Sequence, residues 1–507
     1  MASMVIPSEF QLATSEQSKR IDSETIQDLG ISGRMLMEIA GAKAAAIIQK
    51  HVNPGSRALI FCGKGNNAGD GLVAARFLSQ NNIAVSVVFA EGTKKLTPNA
   101  LANFKVLEKL KNNQGEPDIT LYEKLPDPAS LPPADIIIDA LLGVGIKNEI
   151  RTPYDLIIKF INQSGSIVYA LDIPTGLHAN NGNILGSCVR ADYTFSFGTQ
   201  KIGCFLDNGP GVSGERIFCD LGFPRSLKSE IKRYAIVPAW VDRVELPKRS
   251  PRHKYEAGIV YIIAGSPGLC GAAVMAAESA WAEGLGSVSL MCPRGLLEIF
   301  ESHLVHQTKF VVGDKTDTVF KPDHLDEILK QINRREGTVV IGPGLGRNKD
   351  TAKFVRQLVQ NYQGKIVIDA DAIWAVSEDL SILNKARVVL TPHPGELKYL
   401  SNRGEKDSFD RILAVEEFCR EYKVYMLSKG LPNILGSPDK QSFITQYDST
   451  IFARTGFGDI LTGKIAALWE LTDNPIYSCA KALLDGKSRY DEHFKHYSTI
   501  PGPLNLI

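Results

Sequence analysis

Short apolar runs rich in β-branched residues alternate with helix-length stretches along most of this chain, and the alternation occurs in two sets. A long helical segment from about Ser15 to Lys50 precedes the first set, whose runs cover residues 57–62, 83–90, 134–141 and 166–173. The runs of the second set cover residues 258–265, 286–293, 338–346, 365–372, 386–396 and 424–430. This rhythm is typical of α/β domains with mostly parallel sheets. We therefore expect two such domains.

The stretch between the two sets, residues 224–256, interrupts the rhythm. It contains four prolines and an excess of Lys and Arg, which favours a connection that wraps between domains. A basic arm that binds nucleic acid is the alternative interpretation. It is the weaker one because stacking aromatic residues do not interleave with the basic residues, and because 57 Lys+Arg against 56 Asp+Glu leave the chain with a net charge of +1. We expect no nucleic-acid partner.

Cysteine usage favours a reducing compartment, and the lack of long apolar segments favours a protein that is neither exported nor inserted in a membrane. The sequence has eight cysteines, none in a C-x-x-C pair, and several stand in apolar runs, as reduced core residues do. The opening MASMVIPSEFQLATSEQ lacks a basic region followed by a long apolar one, and no later run approaches the roughly 18 apolar residues of a spanning helix. We expect a soluble, cytoplasmic protein with no membrane partner.

Polar residues follow the runs of the first set, where a parallel sheet binds its ligands. The first run ends in the loop GKGNNAGDG, residues 63–71. Asp139 and the glycines of a Gly143-x-Gly145 pair follow the third run, and Asp172 and Thr175 follow the fourth. Three strand ends therefore offer oxygen ligands at one edge of the predicted sheet.

Two functional interpretations of this glycine loop remain open. Its spacing matches G-x-G-x-x-A, so it could cradle a pyrophosphate as in a dehydrogenase, with Glu91 at the end of the next strand as the ribose ligand. The polar side chains of Asn66, Asn67 and Asp70 are not needed for that, and with Asp139 and Thr175 they would suit a hard cation. A third, structural interpretation is that the asparagines take turn conformations and that Asp70 caps the helix.

Asp459 is the candidate catalytic residue of the second set. It stands in the glycine-rich segment 455–463, at the start of the helix-like run ILTGKIAALWEL. Backbone N–H groups at such a start can hold a phosphoryl group while the carboxylate takes a hydroxyl proton. A helix cap is the alternative role. Further polar or glycine-rich motifs end other runs of this set: residues 265–273, 342–346, 369–372 and 391–396.

The motifs of the first half together resemble the NAD(P)H-hydrate epimerase domain. The resemblance rests on residues 14–41, with Leu-Met-Glu-Ile-Ala-Gly at 36–41, and on GNNAGDGLVAARFL, DALLGVG and DIPTGL. It implies that Asn67, Asp139 and Thr175 surround a potassium ion and that Asp172 assists catalysis. The substrate-binding residues it implies are Asn66, Asn67, Ala68, Gly69, Asp70, Gly143, Val144, Gly145, Ile146, Lys147, Asn148 and Glu149. Ala68 replaces the family's third loop glycine, and Thr175 replaces a serine.

The motifs of the second half resemble the ADP- or ATP-dependent NAD(P)H-hydrate dehydratase domain, with TPHPGE and GPGLG as the most specific pieces. The resemblance implies Asp459 as catalytic base and Gly344, Gly346 and His393 as substrate-binding residues. It implies nucleotide binding by Lys429, Gly430, Leu431, Pro432, Asn433, Gly456, Phe457 and Gly458. Two segments depart from the family pattern: Lys-Gly-Ala-Gly-Thr is replaced at residues 429–433, and the glycine-rich segment before Asp459 contains Phe457. Pro432 lacks an N–H donor, and Arg454 could supply a phosphate contact instead.

The two resemblances together imply a bifunctional nicotinamide nucleotide repair enzyme of α/β class with two doubly wound domains. An N-terminal Rossmann-like three-layer sandwich, residues 1–222, would epimerise R and S NADHX and NADPHX. A connection, residues 223–250, would lead to a C-terminal ribokinase-like domain, residues 251–507, that dehydrates the S form. Potassium, ADP or ATP as co-substrate, and possible use of magnesium follow from the family, and we expect a homo-oligomer. Epimerase activity alone, a small-molecule kinase, a dehydrogenase and a nonenzymatic scaffold are the alternatives.

Overall fold

A parallel seven-stranded sheet forms the centre of residues 7–233, which we call the first unit. The computed structural model describes residues 6–111, 114–116, 118–127, 130–244, 256–401 and 403–507. The strands of the first unit are β1 (Leu12–Ala13), β2 (Arg57–Cys62), β3 (Ala84–Phe89), β4 (Ile119–Tyr122), β5 (Ile136–Ala140), β6 (Ile167–Leu171), β7 (Tyr193–Phe197), β8 (Gln200–Lys201) and β9 (Glu215–Cys219). Its helices are α1 (Ser15–Gln27), α2 (Gly33–His51), α3 (Asn66–Ser79), α4 (Pro98–Leu107), α5 (Tyr154–Gln163) and α6 (Gly209–Ser213).

Both faces of this sheet are buried, which makes the first unit a three-layer sandwich. Alternate residues of a strand point to opposite faces. Leu59 and Phe61 of β2 therefore join one core with residues of α5, while Ala58, Ile60 and Cys62 join the other core with residues of α2, α3 and α4. Burial on both faces explains why β2 reads as a continuous apolar run.

The order of strands in the first sheet places a crevice at its middle. The order is β4-β3-β2-β5-β6-β7-β9, so β2 and β5 are neighbours, with β3 beyond β2 and β6 beyond β5. The connection from β2 therefore leads to one side of this pair, and the connection from β5 leads to the other side. Ligands of open α/β sheets bind at such a switch point, outside the carboxyl ends of the strands.

The predicted helical segment from Ser15 to Lys50 is two helices in the structure. Thr14 caps α1 through a hydrogen bond with the Gln17 backbone N–H, and Ser32 caps α2 in the same way through Met35. Gly30 lies between the helices with φ +74°, a conformation that interrupts a helix. Helical periodicity continues across this break, which is why the sequence suggested one segment.

The second unit, residues 234–507, contains most of a ten-stranded sheet. Its strands are β10 (Arg233–Ile236), β11 (Ile259–Ile263), β12 (Ser287–Pro293), β13 (Thr308–Val312), β14 (Thr338–Ile341), β15 (Lys365–Ile368), β16 (Arg387–Leu390), β17 (Tyr425–Ser428), β18 (Ile434–Gly436) and β19 (Ser442–Thr445). Its helices are α7 (Pro238–Val241), α8 (Cys270–Ala282), α9 (Leu297–His303), α10 (Leu325–Arg334), α11 (Lys349–Asn361), α12 (Asp371–Val376), α13 (Pro394–Leu400), α14 (Ser408–Tyr422), α15 (Phe457–Thr472) and α16 (Pro475–Tyr497).

The second sheet also has a switch point. Its order is β10-β19-β18-β17-β16-β15-β14-β11-β12-β13, and the strands from β11 to β17 pair in parallel. β18 pairs antiparallel with both β17 and β19. The switch lies between β11 and β14, whose ends carry residues 264–269 and the glycine-rich loop 342–346. The prediction of two doubly wound α/β domains is confirmed.

The predicted connection, residues 223–250, contains secondary structure in the part that the structure describes. β10 and α7 lie within it, and β10 is the edge strand of the second sheet. Residues 245–250 of the predicted connection, and the first five residues of the domain predicted to start at 251, lie outside the described residues. Among the described residues, we find no helix with the length and apolar character that a membrane crossing requires.

Candidate functional sites

A cleft of about 860 Å³ lies in the first unit at the carboxyl ends of β2, β5 and β6. The fold brings eleven of the predicted site residues together along its walls: Asn66, Asn67, Asp70, Gly143, Val144, Gly145, Ile146, Lys147, Asn148, Glu149 and Asp172. Ala68 and Gly69 lie inside α3 and face the interior, since Ala68 is fully buried and a Cβ on Gly69 would overlap the end of the Met37 side chain.

The turn between β2 and α3 presents a helix N-terminus to this cleft. A Cβ on Gly63 would overlap the Leu141 carbonyl oxygen, so only glycine allows the β2 and β5 ends to approach this closely. Gly65 is the N-cap and provides no side-chain cap, and the first turn of α3 therefore keeps N–H groups for an anion. Asn66 accepts a 2.9 Å hydrogen bond from the Thr97 hydroxyl.

Asn67 is a buried amide without a partner. Its side-chain oxygen and nitrogen are both buried and have no hydrogen bond. Its Cβ is 3.8 Å from the position that a Cβ on Gly143 would occupy, so the amide lies beside the loop that follows β5. Leaving a buried amide unpaired costs on the order of 1–3 kcal/mol, which indicates that this site is built for a ligand.

Asp139 is a fully buried carboxylate beneath the cleft. Its Oδ2 accepts a 2.8 Å hydrogen bond from the Thr175 N–H, and its Oδ1 accepts bonds from the Thr175 hydroxyl at 2.7 Å and the Leu141 N–H at 3.2 Å. Burial raises the pKa of Asp139 to about 6 despite these hydrogen bonds. A cation beside it would stabilise the ionised form.

Asp172 and Lys201 form a buried ion pair at the floor of the cleft. Lys201 also donates to the carbonyls of Phe197 at 3.2 Å and Thr199 at 2.9 Å, so its ammonium group is fixed by three acceptors. Asp172 has φ +66°, a left-handed conformation that is strained for a non-glycine residue. Strain of this kind is common where a side chain must face a ligand.

The charges of Asp172 and Lys201 also act on the pKa values of two further carboxyl groups in the cleft, Asp22 and Asp70. Burial raises the pKa of Asp22 to about 6, with the Lys201 charge lowering it and the Asp172 charge raising it. Burial also raises the pKa of Asp70 well above its usual range, and the charges of Asp172 and Asp22 add to that rise. These three acidic groups and Lys201 all line the cleft, so groups that can donate a proton and groups that can accept one face the same space.

Sequence reasoning did not identify Asp22 or Lys201 as site residues. Both line the cleft. Ser18 and Asp22 are four residues apart on α1, so helical spacing could have placed both on one face. Lys201 follows β7 at the carboxyl edge, and the rule that found Asp139 would have found it had residues 193–197 been recognised as a strand.

In the second unit, Asp459 lies in the first turn of α15. Gly456 is the N-cap, with φ +99° and no side-chain cap, so the N–H groups of this turn are available to an anion. Burial raises the pKa of Asp459 to about 6, the Asp369 charge adds to the rise, and the Lys429 charge opposes it. A carboxylate with this pKa can accept a proton near neutral pH.

Buried Asp369 and partly exposed Lys429 form a charge pair beside Asp459. Asp369 accepts hydrogen bonds from Lys429 Nζ at 2.8 Å and from the Thr462 hydroxyl at 2.6 Å. Burial alone would raise the pKa of Asp369, but the charge of Lys429 and these hydrogen bonds hold it below its usual value. A Cβ on Gly458 would lie 3.5 Å from Lys429 Nζ, which places the ammonium group against the first turn of α15.

His393 and the loop 342–346 have local structural roles at the same edge. His393 caps α13: its Nδ1 accepts from the N–H groups of Gly395 at 2.9 Å and Glu396 at 3.2 Å. Its side chain is nevertheless 55% exposed, so the other face of the ring is accessible. Gly344 and Gly346 have φ +61° and +74°, and the Gly346 N–H donates to Asp371.

The predicted nucleotide-binding segment 429–433 is held by internal hydrogen bonds. Arg411 donates to the carbonyls of Lys429 and Pro432, and the Gly430 N–H donates to Asn433 at 3.1 Å. Leu431 is 45% exposed. The side chain of Phe457 is buried edge-on against Phe452, with ring centroids 5.4 Å apart.

Arg454 donates a 3.2 Å hydrogen bond to the carbonyl of Pro501. The Arg454 guanidinium, which the sequence suggested as a phosphate contact, therefore binds the backbone at Pro501. Among the described residues, no three His, Cys, Asp or Glu side chains are grouped to hold a metal ion.

Comparisons with known proteins assign relatives to both units. Residues 33–203 match the family described as YjeF-related protein N-terminus, and residues 260–496 match the family described as NAD(P)H-hydrate dehydratase. The chain is 31% identical over 506 residues to a bifunctional NAD(P)H-hydrate repair enzyme of Salinibacter ruber, which covers 96% of this chain and 92% of that protein. It is 32% identical over 468 residues to one of Moorella thermoacetica, covering 90% of this chain and 87% of that protein.

Among solved structures, the chain is similar to the ADP/ATP-dependent NAD(P)H-hydrate dehydratase of Bacillus subtilis co-crystallised with ATP and Mg²⁺. The identity is 19% and the TM-score 0.44, over 54% of this chain and 94% of that chain. The first family match lies within the first unit, and the second lies within the second unit.

Proposed function

We propose that the two units of this chain carry out successive steps in the repair of NADH and NADPH whose nicotinamide ring has taken up water. The chain belongs to the family of bifunctional NAD(P)H-hydrate repair enzymes, and the proposal follows from that membership. The first unit interconverts the R and S hydrates, and the second dehydrates the S hydrate at the expense of ADP or ATP. One observation carries the proposal: at the carboxyl edge of each doubly wound sheet an aspartate is paired with a lysine, Asp172 with Lys201 in the first unit and Asp369 with Lys429 in the second. In the second unit the charges of this pair also act on the proposed base, Asp459.

In the first unit, Asp172 is the base and Lys201 the acid of epimerisation. Asp172 takes the proton of the ring hydroxyl, so that this oxygen forms a carbonyl and the bond from its carbon to the ring nitrogen breaks, while Lys201 gives a proton to that nitrogen. The reverse steps, with the nitrogen attacking the other face of the carbonyl, close the ring with the opposite configuration. The ion pair supplies an acceptor and a donor in contact. Asp70, whose pKa is raised well above its usual range, is a further proton donor, and Asp22, with a pKa of about 6, can donate or accept a proton. The N-terminus of α3 binds the pyrophosphate of the dinucleotide.

A monovalent cation, potassium in our proposal, fits beside Asn67. The unpaired amide oxygen of Asn67 and the buried carboxylate of Asp139 are oxygen ligands of the kind hard cations prefer, and Thr175 adds a hydroxyl. When bound, the cation would neutralise Asp139 and fix the loops after β2 and β5. Asn67, Asp139 and Thr175 are the residues that would hold it.

In the second unit, Asp459 takes the proton of the ring hydroxyl of the S hydrate. That oxygen then bonds to the terminal phosphorus of ADP or ATP, whose leaving group is AMP or ADP. The N–H groups of residues 456–459 hold the transferring phosphoryl group, and Lys429 adds a positive charge beside them. Loss of phosphate together with a ring proton restores the double bond.

The segments around Pro432 and Phe457 fit nucleotide binding through the backbone. Residues 429–433 are fixed by Arg411 and Asn433, so the loop is ordered before a nucleotide arrives. Exposed Leu431 offers an apolar surface for a base, in place of the glycine contacts of the family pattern. Magnesium would be held mainly by the phosphates of the nucleotide.

The cysteines fit the cytoplasmic location that we propose. All eight are free, and seven of them are buried. Burial raises the pKa of several of these thiols, Cys62 and Cys419 among them, so that they stay protonated and inert in a reducing compartment.

Recovery of reduced-nicotinamide absorbance from a mixed R and S NADHX sample tests this function. The sample contains potassium, magnesium and ADP, and ATP replaces ADP in a parallel sample. Complete recovery is expected. A stop once the S form is exhausted would leave the dehydratase alone, and recovery that needs an added S-specific dehydratase would leave the epimerase alone. No recovery in either assay would favour a nonenzymatic scaffold.

A further inference from the structure

Glu91 lies in the same cleft as Asp172 but at its opposite end. It is the second residue after β3, and with Lys64 and Tyr154 it lines the cleft. Its carboxylate accepts a 2.7 Å hydrogen bond from the Tyr154 hydroxyl and pairs with Lys64 and Lys95, each at 3.3 Å. A carboxylate with three donors around it is fixed in position while part of it still faces the cleft.

The strand order separates the two ends of the cleft. Asp172 follows β6 and Glu91 follows β3, while β2 and β5 lie between them. The N-terminus of α3 follows β2 at the middle. A dinucleotide that crosses this switch point therefore places its pyrophosphate at α3 and its two nucleosides on opposite sides. With the reacting ring beside Asp172, the adenosine lies beside Glu91.

From this arrangement we propose that Glu91 binds the ribose hydroxyls of the adenosine half and makes the first unit prefer NADHX to NADPHX. The inference rests on the proposed epimerase function, since that function places the nicotinamide end at Asp172. An acidic side chain at the end of the strand after the glycine loop is the group that accepts from a 2′-hydroxyl in dinucleotide-binding folds, and it repels a 2′-phosphate.

The groups around Glu91 determine how removal of its charge should change the preference between the two dinucleotides. The Tyr154 hydrogen bond lowers the pKa of Glu91, outweighing its partial burial, so the carboxylate is ionised at neutral pH. Lys64 and Lys95 are both engaged by Glu91. In a Glu91→Gln variant both ammonium groups are released at the place where a 2′-phosphate would lie, and cationic side chains there favour phosphate.

The test compares Glu91→Gln with the native chain and with Glu123→Gln, a matched control. Glu123 lies near the end of the adjacent strand β4, accepts from Thr93 and does not line the cleft. The first measurement is the epimerase kcat/KM for NADHX and for NADPHX. The second is calorimetric binding of ADP-ribose and 2′-phospho-ADP-ribose, which requires no catalysis. Because Glu91 lies in the first unit, any change in binding between the native chain and the Glu91→Gln variant reports binding to that unit.

We expect the native chain to favour NADHX and ADP-ribose, and Glu91→Gln to shift both ratios toward the 2′-phosphorylated compounds by about tenfold or more. Adding Lys64→Met to Glu91→Gln should reverse most of that shift. If Glu91→Gln leaves both substrate ratios unchanged, or if Glu123→Gln shifts them equally, Glu91 does not bind the ribose. Either result would leave the proposed epimerase function standing. Glu91-dependent discrimination between the ADP-ribose forms without epimerisation would support the assignment and reject the proposed function.

Discussion

Lys429 donates a 2.8 Å hydrogen bond to Oδ1 of the buried Asp369, and this pair lies between the β15 and β17 ends and the first turn of α15. Because Asp369 remains ionised, its negative charge adds to the effect of burial on Asp459. Lys429 opposes that effect. The pair therefore sets the protonation of the proposed base without being the base itself.

The dehydratase step should lose activity as the pH falls through about 6, since burial and the Asp369 charge raise the pKa of Asp459 to about 6 and only the ionised form accepts a proton. Asp459→Asn should lower the dehydratase kcat by about 10² or more and leave epimerase activity unchanged. The measurement is a pH profile of kcat/KM for S-NADHX at saturating ADP. A profile that stays flat down to about pH 5 would contradict Asp459 as the base.

Removal of the Lys201 charge should lower the epimerase kcat by about 10² or more and destabilise the first unit. Lys201→Met leaves Asp172, Asp22 and Asp70 without their buried cation, and breaking a buried pair costs on the order of 3 kcal/mol. Asp172→Asn should lower the epimerase kcat by a similar factor, and the double variant should lose no more than either single one, because the two residues act together. Additive losses in epimerase kcat would indicate separate roles; dehydratase activity is the internal control.

Asn67→Ala should remove the response of the protein to potassium. Binding of the ion to the folded state raises the melting temperature by mass action, and an increase of about 2–4 °C corresponds to roughly 1 kcal/mol for a unit of this size. Asn66→Ala is the matched control, since Asn66 is the adjacent asparagine but bonds to Thr97. The measurement is thermal unfolding with potassium or choline chloride. Equal potassium shifts in the native chain and Asn67→Ala would exclude Asn67 as a ligand.

The sequence predicts the parts of the fold that local pattern determines. β2 coincides with the predicted run at residues 57–62, because burial on both faces leaves an uninterrupted apolar segment. β7 mixes Thr and Ser with aromatic residues and was not recognised. The short strands β18 and β19 also have no distinctive local sequence pattern. They are strands because β18 pairs with β17 and with β19.

The candidate sites divide in the same way. Residues that directly follow an apolar run, such as Asp139 and Asp172, could be found because parallel strands end at one edge. The partners of those residues lie far along the chain: Thr175 contacts Asp139 from 36 residues away, and Tyr154 contacts Glu91 from 63 residues away. Only the folded chain shows that Asn67 is buried without a hydrogen bond.

Residues 498–507 pack against the loop that leads into the proposed phosphoryl site. Arg454 donates to the Pro501 carbonyl, and Arg489 donates to the Leu506 carbonyl at 2.9 Å. A Cβ on Gly456 would lie 3.0 Å from Cγ of Pro503, so the N-cap of α15 is in close contact with this segment. The segment lies beyond residue 496, where the match to the dehydratase family ends.

Deletion of residues 498–507 should therefore lower the dehydratase kcat by about tenfold, because the loop before Asp459 loses the contacts that position its N–H groups and a small misplacement of such groups is costly. Epimerase kcat should not change, since the first unit is untouched. Ile500→Ala and Leu504→Ala are the controls, as both side chains are more than half exposed and should have no effect. The measurements are both activities and nucleotide binding for each variant. A deletion variant that binds ADP and keeps the native dehydratase kcat would show that the segment does not position the site.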